Sequence, residues 1–381
     1  MKLKIGIVCY PTYGGSGVVA TELGKALAET GRYDVHFITY NQPTRLDFFN
    51  ENLFYHKVDI RTYPLFKYPP YELALASSMV NVVRNEKLDL LHVHYAIPHA
   101  SAAYMAKQIL KSEGYDIPFV TTLHGTDITL VGKEETFEPV VSFSINESDG
   151  VTAVSDSLKQ ETHEYFGIRD TTDIKVIHNF IDLDRFRKHP KDHFKKAICP
   201  NGEKLIIHIS NMRKVKRAAD VIEVFKKVSK EVPAKLLMVG DGPERTHLEE
   251  MCYECQICGD VRFLGKLEQI EEVLSVADLF VMPSEKESFG LAALEAMACE
   301  VPVISSNAGG LPELNINGVT GFMSEVGDVE DMAKNAIHIL QDENLATFKA
   351  NALKRAQEFE ISNIRPKYEA LYEEVMAKYR K

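Results

Sequence analysis

Pro283-Ser284-Glu285-Lys286-Glu287-Ser288-Phe289-Gly290-Leu291-Ala292-Ala293-Leu294-Glu295-Ala296-Met297-Ala298 is the stretch on which the reading of the chain turns. It follows the apolar run Asp278-Leu279-Phe280-Val281-Met282, which reads as a buried parallel strand, and it runs into strong helix formers with no internal breaker. Strand, turn and helix start in that order mark an α/β unit. In open α/β sheets ligands bind beyond the carboxyl ends of the strands, and the free N–H groups of a helix N-terminus attract anions. With the helix starting near Gly290, Glu295 lies about four to five residues along it, roughly 6–8 Å. Glu287 lies just before it. An anion on the amides of Phe289, Gly290 and Leu291 therefore has a carboxylate on each side. Carboxylates repel phosphate, so the two are better suited to accept hydrogen bonds from hydroxyls, one at each end of a sugar nucleotide. An acidic helix start with a solvated glutamate has the same spacing, and the stretch alone does not choose.

The same rhythm extends outward in both directions. Upstream, Lys204 to Ser210, Lys235 to Gly240 and Val261 to Leu264 read as strands and Ala218 to Lys230 as a helix. Downstream come Pro302-Val303-Ile304-Ser305, Gly309-Gly310-Leu311-Pro312-Glu313 and Gly318-Val319-Thr320-Gly321-Phe322, then helices from Asp328, the last over about 361–381. In the first half, strands are expected at Lys4 to Cys9, Asp34 to Thr39, Leu88 to His94, Pro118 to Leu123, Gly150 to Val154 and Ile174 to Ile177. Helices are expected at Val18 to Ala28, about His99 to Ser112 and Ser155 to Phe166. Two parallel sheets with right-handed crossovers follow from this alternation. Residues 184–203 are charged, carry Pro190 and Pro200 and lack periodicity, so they read as a connection between domains at 1–183 and 204–360.

Length agrees with that division: 381 residues, 45% of them hydrophobic, suit two domains of roughly 150–200 residues. The balance of 44 basic against 55 acidic residues, net −11, offers no footprint for nucleic acid. No run approaches the roughly 18 apolar residues of a membrane span, and Met1-Lys2-Leu3-Lys4 leads straight into a strand, so a cytoplasmic protein without a membrane partner is expected. A homo-oligomer is compatible with the sequence. Cys252, Cys255 and Cys258 lie in a helical pattern with Leu248, Met251 and Ile257; with His247 poorly spaced as a fourth ligand, they read as buried thiols and not as a metal site. His92 and His94 share one strand face, where core and zinc roles are both open and core is favoured.

The first strand ends in Tyr10-Pro11-Thr12-Tyr13-Gly14-Gly15-Ser16-Gly17. Gly14, Gly15 and Gly17 permit positive φ and close backbone approach to a ligand, beside a helix start that offers amides. The spacing is not G-x-G-x-x-G, no acidic residue ends the second strand, and no Gly-Lys-Ser/Thr follows. Nicotinamide-dinucleotide and Walker A readings are therefore weak.

Taken together, Gly14-Gly15-Ser16-Gly17, His124-Gly125-Thr126-Asp127, Ala153-Val154-Ser155, Asn179 to Asp182, Gly240-Asp241-Gly242-Pro243-Glu244, Ala277-Asp278-Leu279-Phe280, Glu287-x7-Glu295, Pro302-Val303-Ile304 and Gly309-Gly310-Leu311-Pro312-Glu313 resemble the retaining glycosyltransferases of family 4. The resemblance spans nearly the whole chain. It implies the GT-B fold: α/β, two Rossmann-like domains with parallel sheets facing across a cleft, the final helix commonly packing back on the N-terminal domain. Within the family, the compact length, Tyr10-Pro11-Thr12-Tyr13-Gly14-Gly15-Ser16-Gly17, His92-Val93-His94-Tyr95-Ala96-Ile97-Pro98-His99 and Ser210-Asn211-Met212-Arg213-Lys214-Val215-Lys216-Arg217 are most similar to members that glycosylate L-malate in bacillithiol biosynthesis. The implied substrates are UDP-N-acetylglucosamine and L-malate, with no cofactor and no essential metal.

The resemblance also implies roles. Glu295 takes the ribose hydroxyls and Glu287 the hydroxyls of the donor sugar. Arg213 and Lys216 meet the diphosphate, although many relatives carry Gly-Arg where this chain has Ser210-Asn211, so Arg213 stands in from two positions on. The Gly240 loop, the amides of Ser288, Phe289, Gly290 and Leu291, and those of Gly15, Ser16 and Gly17 complete the donor site, with the base against Arg262-Phe263-Leu264. His124 is expected near the donor sugar. Candidates for the anionic acceptor are Ser16, Lys67, Tyr95, Thr122, His124 and Asn179. The chemistry implied is front-face displacement, in which a donor phosphate oxygen takes the acceptor's proton and the protein positions reactants and stabilises the leaving group. Rival readings are a family 4 transferase with a lipid or polysaccharide acceptor, a non-catalytic UDP-sugar binder, and a nucleotide-sugar epimerase.

Overall fold

Leu279-Phe280-Val281-Met282 is a strand buried along its whole length, and so are Leu90–His94, Phe119–Leu123 and Val303–Ser306. Parallel sheets covered on both faces require such strands, which is why the apolar runs do not alternate with polar residues. The structure is a computed structural model and describes residues 2–12, 14–46, 49–61, 64, 67–189 and 192–379. It divides into two compact units, one of Met1–Asn179 with Ile361–Lys381, the other of Phe180–Glu360.

Unit 1 holds β1 (Leu3–Val8), β2 (Tyr33–Thr39), β3 (Leu53–Lys57), β4 (Leu90–His94), β5 (Phe119–Leu123), β6 (Gly150–Ala153) and β7 (Ile174–Val176). Their order is β3-β2-β1-β4-β5-β6-β7, every pairing parallel. Unit 2 holds β8 (Lys204–Ile209), β9 (Ala234–Val239), β10 (Val261–Gly265), β11 (Leu279–Met282), β12 (Val303–Ser306) and β13 (Gly321–Ser324), in the order β10-β9-β8-β11-β12-β13 and again all parallel. In each sheet the chain winds outward one way, then crosses back and winds the other. The reversal falls between β1 and β4 in unit 1 and between β8 and β11 in unit 2. Loops at the carboxyl ends of such a strand pair diverge and leave a crevice, the position at which doubly wound sheets bind ligands.

The cores lie between sheet and helices. In unit 1, Leu75, Met79 and Val83 of the helix Tyr71–Glu86 pack with Leu91, Val93 and Phe119; in unit 2, Val221, Phe225 and Val228 of the helix Ala218–Val228 pack with Leu236, Met238 and Leu279. Each such fully buried side chain contributes about 1.5–3 kcal/mol, so sheet-helix packing, not propensity, holds the loops in place.

Several elements differ from the sequence reading. The edge strand β3 and the helix Tyr71–Glu86 were not read, β3 because Phe54 and Tyr55 stay exposed and give it no buried-strand pattern. Residues 184–203 are not a free connection: they carry the helix Asp192–Ile198, Phe186 and Cys199 are buried, and unit 2 begins at Phe180. Lys195 and Lys349 each place Nζ 2.7 Å from the buried carboxylate of Asp278, which also accepts the Leu205 N–H at 2.9 Å, so this helix is tied to the sheet. Of the three neighbouring cysteines only Cys252 is buried; the helix ends at Glu254, and Cys258 is exposed.

The last helix, Ile361–Tyr379, belongs to unit 1. Tyr368, Leu371, Tyr372 and Val375 are buried, and the Tyr372 hydroxyl lies 2.7 Å from His92 Nδ1. Asp149 clasps the helix end, accepting from the Tyr379 hydroxyl at 2.6 Å and from Lys107 Nζ at 2.8 Å.

Candidate active-site residues

In unit 2 the loops after β8 and β11 meet at the reversal point. After β8, His208 fixes the turn. Its Nδ1–H donates to the Val281 carbonyl at 2.8 Å, so its Nε2 accepts from the Ser210 hydroxyl at 2.8 Å. The Ser210 oxygen in turn accepts the Met212 N–H at 3.1 Å. Burial holds the His208 pKa down to about 4, which keeps this one-directional chain intact at neutral pH. A Cβ on Gly240 (φ 111°) would stand 1.8 Å from the Ser210 carbonyl oxygen, and one on Gly242 1.9 Å from that of Asn211. Gly240 is thus required by the seat of the neighbouring loop, whatever it does for a ligand.

After β11, the Glu285 N–H donates to the Val215 carbonyl at 2.8 Å, and Lys216 Nζ lies 2.5 Å from Glu287 Oε2. Cation and carboxylate expected to act separately are therefore an ion pair, mostly shielded from solvent. Gly309 (φ 55°) and Gly310 pass under this loop: the Gly310 N–H donates to the Glu287 carbonyl at 2.9 Å, and a Cβ on Gly309 would lie 2.1 Å from that same oxygen. The helix Leu291–Ala298 starts at Gly290 (φ 99°) with no side-chain cap, which leaves its first-turn N–H groups without a capping side chain. Glu295 is buried one turn in. Ser288 is half-buried, while Phe289 turns its ring inward onto Phe359, 5.5 Å between centroids, so only its backbone can serve a ligand. Arg213 is exposed. Arg262 is exposed on the edge strand β10, and the register shift between Phe263 and Gly265 leaves Leu264 outside the ladder.

In unit 1 the loop after β1 and the residues after β4 meet in the same way. A Cβ on Gly17 would lie 2.4 Å from the Tyr10 carbonyl oxygen, so the loop folds on itself only with glycine there. Tyr13 lies outside the described residues. The Tyr95 hydroxyl donates to Ser16 Oγ at 2.7 Å, joining the two loops and leaving the Ser16 proton for another acceptor. Tyr95 holds φ 90°, a strained conformation for a side-chain-bearing residue, fixed by its N–H to the Thr122 carbonyl at 2.9 Å. The Tyr10 ring packs 4.5 Å from His99 and 5.5 Å from Tyr95, and Tyr95 lies 5.4 Å from His124. Ser16, Gly17, Tyr95 and His124 are thereby gathered, with Gly15 exposed at the helix start.

Three acceptor candidates stand differently. Thr122 is turned into the core: its hydroxyl lies 2.7 Å from both His92 Nε2 and Thr152 Oγ1, which corrects the expectation that it meets a ligand. Lys67 is exposed, its ammonium 5.5 Å from the centre of the Tyr68 ring, and its neighbour Phe66 lies outside the described residues. Asn179 is buried, with Oδ1 lacking a hydrogen-bond partner among the described residues.

Two family profiles divide the chain between them: Glycosyltransferase Family 4 matches residues 13–185, and Glycosyl transferases group 1 matches residues 190–356. The N-acetyl-alpha-D-glucosaminyl L-malate synthase of Bacillus anthracis is 49% identical over 99% of this chain and 98% of the relative. The chain belongs to glycosyltransferase family 4. An uncharacterized glycosyltransferase of Methanocaldococcus jannaschii is 27% identical over 93% of each protein. Among solved structures, the Anabaena protein HepE in complex with UDP and glucose superposes with a TM-score of 0.80 at 21% identity, covering 97% of this chain and 99% of that one. Sucrose-phosphate synthase from Thermosynechococcus elongatus gives 0.78 at 22% identity, covering 99% and 100%. These likenesses establish the GT-B fold.

For a family 4 glycosyltransferase, the sequence reading missed residues that shape these loops. Asp127 is buried and its carboxylate accepts the N–H of Ala96 at 2.8 Å and of Gly125 at 3.1 Å, binding the turn after β4 to the turn after β5. The motif His124-Gly125-Thr126-Asp127 carries this acid, but the contacts that give it a role come from the neighbouring turn. No local pattern gives Tyr10, His99 or His208 a role, because their contacts are made across strands. Among the described residues no helix is long and apolar enough to cross a membrane.

Proposed function

We propose that this enzyme transfers N-acetylglucosamine from UDP-N-acetylglucosamine to the hydroxyl of L-malate with retention at the anomeric carbon, the first step of bacillithiol biosynthesis. The observation that carries the reading is the 49% identity, over 98% of its length, to a relative named for that reaction. Identity at that level far exceeds the 21–22% shared with the structural neighbours, which speak only to fold.

In this reading Glu295 accepts from the ribose hydroxyls and Glu287 from the donor sugar. Lys216, already held against Glu287, swings toward or bridges to the diphosphate, with Arg213 and the first-turn amides of the helix Leu291–Ala298 completing the anion site. Ser16, whose oxygen is occupied by Tyr95, donates its own proton to the malate carboxylate. The bond from the anomeric carbon to the phosphate oxygen breaks as the bond to the malate oxygen forms on the same face. The malate hydroxyl proton passes to the departing phosphate oxygen, so no side chain need serve as nucleophile or base. Charge leaving with UDP is met by Lys216, Arg213 and helix amides instead of a divalent ion.

The test is UDP release from UDP-N-acetylglucosamine with a panel of hydroxy acids, in excess chelator. Malate-dependent release, with an α-linked product, is expected. Release with malate no faster than hydrolysis sinks the acceptor assignment, and release with no acceptor at the full rate points to an epimerase or hydrolase.

A further inference from the structure

We infer that His94 is a positioning residue which fixes the tautomer of His124, so that His124 meets its ligand as a hydrogen-bond donor through Nδ1–H. The inference deepens the expectation that His124 lies near the donor sugar, and it rests on the proposed transfer. His94 ends β4 and is fully buried. Its Nδ1 lies 2.8 Å from His124 Nε2, with ring centres 5.0 Å apart and planes inclined by 25°. The two imidazoles therefore meet edge to edge and nearly in plane, one nitrogen's proton aimed at the other's lone pair. Burial first, then the neighbouring imidazoles, holds both rings neutral, His124 at about 3 and His94 lower than the ordinary histidine value. The bond thus holds one proton, and either ring can own it.

The other side of His94 decides the owner. His94 Nε2 is buried and has no hydrogen-bond partner among the described residues. If His124 donated, His94 would carry its single proton on Nε2, as a buried N–H with no acceptor, a group that folded proteins almost never retain. The neighbouring ring cannot relieve it: His92, 4.5 Å away centre to centre, uses Nδ1 on the Tyr372 hydroxyl and Nε2 on Thr122. With the proton on Nδ1, His94 donates to His124 and leaves only a lone pair facing the stacked rings. His99 Nδ1–H donates to the His94 carbonyl, which anchors the backbone that carries this ring. His124 Nε2 is then occupied as an acceptor, and Nδ1 carries its proton. Such a histidine cannot remove a proton through Nε2, in keeping with a reaction in which the phosphate oxygen does so.

Long-range 1H–15N correlation spectra of the full-length protein labelled at histidine nitrogen read the tautomers directly, with the His124 signals assigned by their loss in His124→Gln. An unprotonated Nε2 and protonated Nδ1 on His124 are expected; a protonated Nε2 overturns the inference. His94→Asp offers only an acceptor at the Nδ1 position, and its kcat is expected to fall on the order of 100-fold with the donor KM changed less than about twofold. His94→Asn, which returns a donor nitrogen there, is expected to recover about tenfold of that loss. Equal kcat in the two variants, with equal melting temperatures, overturns the positioning role. Wild-type turnover in His124→Ala overturns the role of His124 in the reaction, while the tautomer still stands or falls on the spectra.

Discussion

At the scale of single residues, the proposed reaction gives Glu295 and Glu287 different hydroxyls to bind on either side of a helix start. Glu295 is buried in the first turns of Leu291–Ala298, where a carboxylate is retained only if hydrogen-bonded. Removing one side of a charged hydrogen bond costs about 1.5–3 kcal/mol, so Glu295→Ala should weaken UDP binding by roughly 10- to 150-fold in a calorimetric titration. Glu287→Ala should leave the UDP affinity within a few-fold and lower kcat, because its partner in the structure is Lys216 at 2.5 Å and its proposed ligand is the sugar. Unchanged UDP affinity in Glu295→Ala would contradict the ribose role.

At the scale of elements, the site is a set of loops braced by close backbone contacts. Gly309 shows this most directly, with φ 55° and no room for a Cβ, which would lie 2.1 Å from the Glu287 carbonyl oxygen. Backbone cannot yield as a flexible side chain does, so Gly309→Ala should cost more than about 2 kcal/mol and displace Glu287, lowering turnover as well. Gly259, with nothing within 4 Å of a built Cβ, is the control: Gly259→Ala should change stability by less than about 0.5 kcal/mol. Equal melting temperatures for the two variants would remove the bracing argument. The final helix is a second such case. Tyr372→Phe leaves His92 Nδ1 without its partner in the core and should destabilise unit 1 by about 1–3 kcal/mol in chemical denaturation, although residue 372 lies 280 positions from His92.

At the scale of the whole molecule, the buried histidines are unevenly shared. His36, His92, His94 and His99 lie in unit 1, each held below its ordinary pKa chiefly by burial, and unit 2 has His208. A depressed folded pKa means that the unfolded chain takes up protons first. Stability is therefore full above about pH 6.5 and falls as pH drops toward about 4, by up to about 1.4 kcal/mol per pH unit for each buried histidine. Unit 1 should lose stability first. Native-state hydrogen exchange, corrected for intrinsic rates, should show β1, β4 and β5 losing protection before β8, β11 and β12 between pH 6.5 and 4.5. The opposite order would refute the assignment.

What the sequence determined alone was local. A four- or five-residue apolar run between turn residues suits a buried strand of a parallel sheet, and Gly290 before a run of helix formers suits a helix start. So most of the strands, the glycine-rich turns and the eight-residue spacing of Glu287 and Glu295 were legible. The edge strand β3 and the helix Asp192–Ile198 were not, since one keeps exposed aromatics and the other lies among charges and prolines. Only the tertiary structure decided which loops become neighbours. Lys216 meets Glu287 across 71 residues, Ser16 meets Tyr95 across 79, and His94 meets His124 across 30. Each pair is joined because β8 lies beside β11, β1 beside β4, and β4 beside β5. Strand order is fixed by how whole faces pack, and periodicity, which depends on neighbours a few residues away, carries no record of it.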